Sequence, residues 1–397
     1  MKEQYYVCLE ITSKSVKMVV GDALKDQVYI IDAVEECHAG VQKGVINDPK
    51  LVEEAIKSVK ERIEKNISMK IKDVTLVVPS FGLKCMPDSL SFYTASRDGV
   101  IENNDIRNII TMMKKKTLAD SSLKIVDCVP SVYVINGNER FYQAPLGKRS
   151  EQIILSAYLY ALNEKILNTY LKLVQNVGLN VVYYVASACA GALYLSTLNK
   201  IPDEYIMIDI GHSLTNVVYV TDRKDVRASE LIAFGGDNIT KSISEKLDIS
   251  YEEAENLKVT FGIENNLAFP VLIKGNYSFD DLSDAIYASF NSYFTAIQNA
   301  IKRFNVIQDG NVPVILTGGG SKLNGLDKLL SSELNLDIIK YDINTLGARD
   351  KSFVNVLGAI KYSKVQPVVE DEEQVVSTIT RVDVFAKRKL GDLEDEL

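Results

Sequence analysis

Two carboxylates and one run of glycines are the residues in this chain with the clearest chemical use. Glu10 closes the apolar stretch Val7-Cys-Leu-Glu, and Asp209 closes Ile206-Met-Ile-Asp. A carboxylate at the end of a buried strand is costly unless it meets a cation or hydrogen-bond donors. Small hydroxyl residues follow each one: Thr12 and Ser13 in the first case, Ser213 and Thr215 in the second. The third feature is Val314-Ile-Leu-Thr-Gly-Gly-Gly-Ser-Lys, an apolar strand running into Gly318, Gly319 and Gly320 and then a polar helix start. Glycine lets another molecule approach the backbone, and the unpaired N–H groups of a helix start favour anions. Together these elements suit a clamp on a metal-bound polyphosphate, with the carboxylates on the metal's water shell. The plainer alternative is a pair of surface hairpins and an unrelated glycine-rich turn.

The elements that must position these residues form a repeat. Val7–Val20 and Ile206–Val218 share one order: apolar strand, acidic residue, short polar turn, β-branched strand. Each reads as a β-hairpin. Between and after them the periodicity predicts helices over 49–66, 164–176, 187–198, 237–247, 251–258, 280–304 and within 344–362. Strand and helix signals alternate in both halves, which implies α/β layers. Residues 84–162 read as a small α/β insertion of short strands around one helix, 103–116. Residues 365–378, with the acidic run Glu370-Asp-Glu-Glu373, read as a linker. Beyond it, Ile379, Val382, Phe385, Ala386 and Leu390 fall on one helical stripe flanked by Arg381, Lys387 and Arg388. Such a helix suits a membrane interface. Lys389 inside the stripe and the acidic end weaken that reading, and a tail or a protein-docking helix is the alternative.

The bulk composition narrows the classes. A chain of 397 residues with 46% hydrophobic and 25% charged residues suits a two-domain globular protein. A net charge of -8 leaves no basic excess for phosphate neutralisation, so nucleic acid is not an expected partner. Five scattered cysteines without a CxxC pair read as reduced thiols, and two histidines argue against a histidine metal site. Neither a signal peptide nor a membrane-spanning segment is expected.

The doubled hairpin and the Thr-Gly-Gly-Gly turn resemble the actin-like ATPase superfamily. Within it the chain is similar to the FtsA family, bacterial division proteins that tie FtsZ filaments to the membrane. The likeness extends to Gly44-Val-Ile-Asn-Asp48, Pro145-Leu-Gly147, Gly235-Gly-Asp-Asn-Ile-Thr240 and Ala254-Glu-Asn-Leu-Lys258, and it covers residues 1–362. It implies an α/β actin-like fold with two duplicated domains around a nucleotide cleft, 1–199 and 200–364. The first would carry an FtsA-type inserted subdomain at 84–162 and the second a peptide-binding subdomain at 241–309. It implies phosphate and metal-water contacts from Glu10, Thr12, Ser13 and Lys14, and from Asp209, Gly211, His212, Ser213, Thr215 and Asn216. Adenosine contacts would come from Gly236, Glu255, Lys258, Gly318, Gly319 and Ser321. The implied cofactor is ATP or ADP with Mg2+, with no direct protein–metal ligand. The implied partners are the FtsZ C-terminal tail, with Lys302 and Arg303 as candidate contacts, further copies of the chain in a filament, and the cytoplasmic membrane surface at the division site, reached through segment 379–397.

The chain departs from the family pattern in both loops. The first normally reads Asp-Ile-Gly-Thr and here is Glu10-Ile-Thr-Ser13. The second normally reads Asp-Ile-Gly-Gly-Gly-Thr-Thr-Asp and here is Asp209-Ile-Gly-His-Ser-Leu-Thr-Asn216. Added β-carbons restrict approach to the backbone, so weakened nucleotide binding and slow or absent hydrolysis are expected. The competing functions are a pilus-assembly actin-like protein that binds an inner-membrane peptide and, less favoured because of these loops, a small-molecule kinase of the superfamily.

Overall fold

The computed structural model describes residues 5–24, 27–96, 98–263, 272–274, 277–304, 312–343 and 345–366. The C-terminal segment with Ile379, Val382, Phe385, Ala386 and Leu390, and all of the expected linker after Gln366, lie outside the described residues. The chain divides into one unit of Met1–Pro79 with Tyr170–Leu397 and a second of Ser80–Thr169.

The first unit holds two five-stranded sheets built on one plan. In the first, Tyr6–Ile11 pairs antiparallel with Ser15–Leu24, which pairs antiparallel with Gln27–Cys37. On the other side Tyr6–Ile11 pairs parallel with Asp73–Val78, and that strand with Asn180–Ala186. The second sheet repeats the plan. Tyr205–Ile210 pairs antiparallel with Thr215–Thr221, and that strand with Asp225–Ile232. Val314–Thr317 and Ile338–Ile339 continue the sheet in parallel. The expected hairpins are therefore present, and their acidic residues hold equivalent places: Glu10 lies opposite Lys17, and Asp209 opposite Asn216.

Helix ends follow local chemistry. Asp48 caps Pro49–Ile67 by accepting from the N–H groups of Lys50 and Leu51, with proline in the first turn. Ser278 caps the long Phe279–Arg303 helix and shares a capping box with Asp281. The last helix is Val354–Val365; it starts inside the expected 344–362 window and runs three residues past its end. Gly347 takes φ +90° ahead of that start, and Asp350 caps a single 3-10 turn, Lys351–Phe353, that precedes the helix. At its other end the helix absorbs Val365, the first residue of the expected linker, one step beyond Lys364, whose ammonium is held by Asp22 at 3.1 Å.

This last helix leaves the second sheet's part of the chain and packs on the first sheet, while Ser187–Leu195 packs on the second as well as on its own. The two helices cross backbone to backbone. A Cβ on Gly358 would fall 1.8 Å from the Ala190 carbonyl oxygen.

The second unit is a four-stranded antiparallel sheet with the Asn103–Lys114 helix packed on it. Its strands are long where the sequence pattern suggested short ones: Lys84–Tyr93, Leu123–Ile135 and Gln152–Asn163. Pro87 and Pro130 break the sequence pattern without breaking the strands. Pro87 lies on the edge strand, and Pro130 sits beside a register shift, both places where a missing N–H costs little.

Because no side chain separates the crossing helices, Gly358→Ala forces the backbones apart. It should destabilise the protein by about 3 kcal/mol or more, read as a lower urea midpoint for the full chain.

Candidate functional site

The three sequence features converge. A cavity of 460 Å³ in the first unit is lined by Glu10, Thr12 and Lys14 of the first hairpin, Asp209, Gly211 and His212 of the second, and Gly318 and Gly319 of the glycine turn. Gly236, Glu255 and Lys258 complete one wall.

The carboxylates meet at its floor. Asn355 Nδ2, from the first turn of the last helix, donates to Glu10 Oε1 and to Asp209 Oδ2, each at 3.1 Å. Lys17, buried within the apolar Val16–Val20 run, places its ammonium 3.9 Å from Glu10 Oε2 and donates to the Ser352 carbonyl. The Phe353 ring lies beneath it, 5.2 Å away. Glu10 is only 4% exposed, and its Oε2 has no hydrogen-bond partner. Burial raises its carboxyl above the ordinary value, with Lys17 and Asn355 only partly opposing. Asp209 keeps a little surface on the cavity but is closely surrounded by protein, and that desolvation raises its carboxyl too, against Asn355 and Lys17.

The turns show why the chain tolerates its departures. Thr12 uses its hydroxyl inside the first hairpin, donating to the Ser15 carbonyl at 2.9 Å and accepting from the Lys14 and Ser15 N–H groups. The expected crowding is thus a side-chain staple that closes the turn. Ser213 donates to Ser13 Oγ at 2.7 Å, so the two hairpin tips touch, and it accepts from the Lys43 N–H. His212 passes its carbonyl to the Asp237 N–H and holds its ring 4.0 Å from the Asp237 carboxylate; burial lowers its pKa, so it is neutral at pH 7.

Five residues predicted to contact the nucleotide do not line the cavity. Thr215 is fully buried beneath it, bonded to the Phe234 carbonyl and to Tyr293 OH. Asn216 accepts from Ser229, and Ser13 and Ser213 pair with each other. Ser321 also turns inward, donating to the Gly318 carbonyl at 2.7 Å. Away from the cavity, Arg303 is held by Glu230, while Lys302 beside it is exposed.

On the opposite wall Lys258 is threaded between Gly236 O at 3.2 Å, Thr240 Oγ1 at 2.8 Å and Glu255 Oε2 at 2.5 Å. Burial lowers the Lys258 pKa despite that pairing. Burial works against the Glu255 charge, but the hydrogen bonds from Lys258 and Thr240 outweigh it and hold its carboxyl low. Lys14 reaches the same carboxylate at 3.7 Å. Gly318 takes φ +81°, and a Cβ there would fall 2.3 Å from Asp209 Oδ1. Its glycine is therefore required by the carboxylate it shelters.

Sequence reasoning passed over Lys17, Asn355, Lys322 and Asp350. Lys17 carried a readable signal, a lone cation in an apolar strand at the register position facing Glu10. Asn355, within Val354-Asn-Val-Leu357, carried none.

Five carboxylates (Glu10, Glu35, Asp209, Glu255, Asp350) and four lysines (Lys14, Lys17, Lys258, Lys322) line the cavity. Each lysine already faces an acidic partner. A polyphosphate entering here needs positive charge of its own. The oxygen donors of Glu10 and Asp209, with the orphaned Glu10 Oε2, fit a hydrated divalent cation that arrives with it. Among the described residues no three His, Cys, Asp or Glu side chains form a metal centre alone.

Two duplicated sheets, crossed helices and a cleft floored by paired hairpins define the actin-like ATPase fold. Solved structures share it: a PilM–PilN type IV pilus biogenesis complex (TM-score 0.63, 16% identity, 91% of this chain and 99% of that one), and Spiroplasma citri MreB5 bound to ADP (TM-score 0.53, 13% identity, 91% and 96%). In sequence, residues 206–358 match the family described as cell division protein FtsA. The chain is 26% identical over 375 residues to the Enterococcus hirae cell division protein FtsA, covering 91% of this chain and 84% of that protein. It is 23% identical over 374 residues to the Bacillus subtilis one, covering 91% and 83%. The expected resemblance to the FtsA cell division proteins is borne out, as is the actin-like fold.

Burial raises the Asp209 carboxyl from 3.8, so the penalty on the fold builds as pH rises above 3.8 and is complete once pH exceeds the raised value. Below the ordinary value the group is protonated folded or unfolded and contributes nothing. Asp209→Asn should therefore raise the melting temperature at pH 7, and the gain should vanish as pH falls below 3.8. Melting curves from pH 3 to pH 8 check the sign.

Proposed function

We propose that this protein is an FtsA-type division adaptor that binds ATP or ADP as a Mg2+ complex in the 460 Å³ cleft, self-associates into actin-like filaments and tethers FtsZ to the cytoplasmic face of the membrane at the division site. The observation that carries the nucleotide part is the convergence of Glu10, Asp209 and the Gly318 turn on one cavity. The adaptor part is supported by similarity to FtsA proteins over nine-tenths of the chain.

Glu10 and Asp209 would take the hydrated cation, whose charge offsets that of the phosphates. Gly236, Glu255 and Lys258 would face the ribose and base, and Gly318 and Gly319 would close the adenosine side. Thr12, Ser13, Ser213, Thr215, Asn216 and Ser321 would act by shaping the loops, since their hydroxyls and the Asn216 side-chain oxygen are used within the protein. Nucleotide would serve chiefly as a structural ligand. Hydrolysis would be slow or absent, because the closing carboxylate of the family's second loop is Asn216 here and His212 is neutral. The FtsZ tail would dock on the second half near the exposed Lys302, with Arg303 already engaged by Glu230. The amphipathic segment 379–397 would lie in the membrane interface.

Calorimetric titration of the full chain with Mg·ADP should show binding, and Asp209→Ala should weaken it roughly tenfold or more; unchanged affinity would mean that the nucleotide lies elsewhere. Pelleting with anionic liposomes, run beside a chain ending at Lys364, tests the anchor. The full chain should pellet and the shortened one should not, while equal pelleting removes 379–397 from that role.

A further inference from the structure

The Asn355 side chain bridges the carboxylates of both halves from a helix that joins them. Its Nδ2 carries two hydrogens, and its two nearest acceptors are Glu10 Oε1 and Asp209 Oδ2 at 3.1 Å each. Both hydrogens are therefore spent on groups that would otherwise repel one another across the cavity floor. Its Oδ1, like Glu10 Oε2, is buried without a hydrogen-bond partner. It rests where a side chain at position 191 would sit, 2.7 Å from the Cβ that Gly191 lacks. An amide that leaves its oxygen unpaired to keep its nitrogen between two carboxylates is serving those carboxylates. Lys17 supports Glu10 from the far side but sits 3.9 Å away, at ion-pair rather than hydrogen-bond distance. Among the described residues, Asn355 is the side chain that hydrogen-bonds both acids.

We propose that Asn355 is a built-in stand-in for the divalent cation, a positioning residue that holds Glu10 and Asp209 together while the cleft contains no metal–nucleotide. The inference rests on the reading of this cleft as a nucleotide–cation site. A cation arriving with a polyphosphate competes with the amide for the same two oxygens. Glu10 Oε1 and Asp209 Oδ2 thus have a partner in both conditions, and the protein keeps its halves in register without a metal.

Melting of the full chain without nucleotide, in EDTA and in millimolar Mg2+, tests this. The wild-type melting temperature should be nearly the same in both. Asn355→Asp supplies the third acidic group and removes the donor. It should melt roughly 4 °C or more lower in EDTA, with Mg2+ restoring most of the loss. Asn355→Ala leaves the two acids unbridged and should show a smaller loss that Mg2+ partly restores. A purely structural role for Asn355 predicts losses that Mg2+ does not touch, and that result overturns the proposal. So does a wild-type protein that Mg2+ alone stabilises as much as it does Asn355→Asp. If Asn355→Asp fails to fold in either medium, the wild-type and Asn355→Ala comparisons decide. Failure of the nucleotide reading would show separately, as absent Mg·ADP binding in the calorimeter.

Discussion

Two acids that the fold forces close together govern this molecule. Glu10 and Asp209 end equivalent strands of two equivalent sheets, so any arrangement that brings the hairpins face to face brings the charges face to face. The desolvation of a pair of carboxylates is unfavourable without compensation. Everything near the floor answers that constraint: the Asn355 amide between them, the Lys17 ammonium beside Glu10, and the missing Gly318 side chain that makes room for Asp209. The raised carboxyl pKa values measure what remains unanswered.

The same logic explains how the loops depart from the family pattern without losing their shape. Where glycine would give freedom, this chain uses hydroxyls that bind the backbone. Thr12 staples the first turn, and Ser213 links the second turn to the first and to the Lys43 N–H. Such turns are preorganised, with a cost in room. The symmetry of the halves is also broken in an informative way. The position facing Glu10 is a lysine and the position facing Asp209 is an asparagine, so one acid has a cation in its own hairpin and the other depends on the last helix.

Much of this architecture was legible in the sequence. The hairpins could be read because apolar alternation ends on an acid in both, and the Pro49 and Ser278 helices could be read because their caps are local. The long strands of the second unit were not legible, since Pro87 and Pro130 are breakers in isolation and only the sheet's edge and register shift excuse them. Glu10, Asp209 and the glycine turn were recognisable because strand-end acids and glycine runs are conspicuous. Asn355 was not, because its role depends on a helix returning across the whole unit to reach residues 345 and 146 positions away. Thr215, assigned to the ligand, belongs to the core because strand alternation points it at Tyr293.

The crossing of Ser187–Leu195 with Val354–Val365 has a mechanical meaning. The carbonyl of Ala190 touches the face of Gly358, and the Asn355 amide lies where a Gly191 side chain would be, so the helices meet at two glycines. Such close approach leaves no slack between the two helices. The two sheets are joined through that tight seam, so a side chain added at either glycine would be felt on both sides of the cleft.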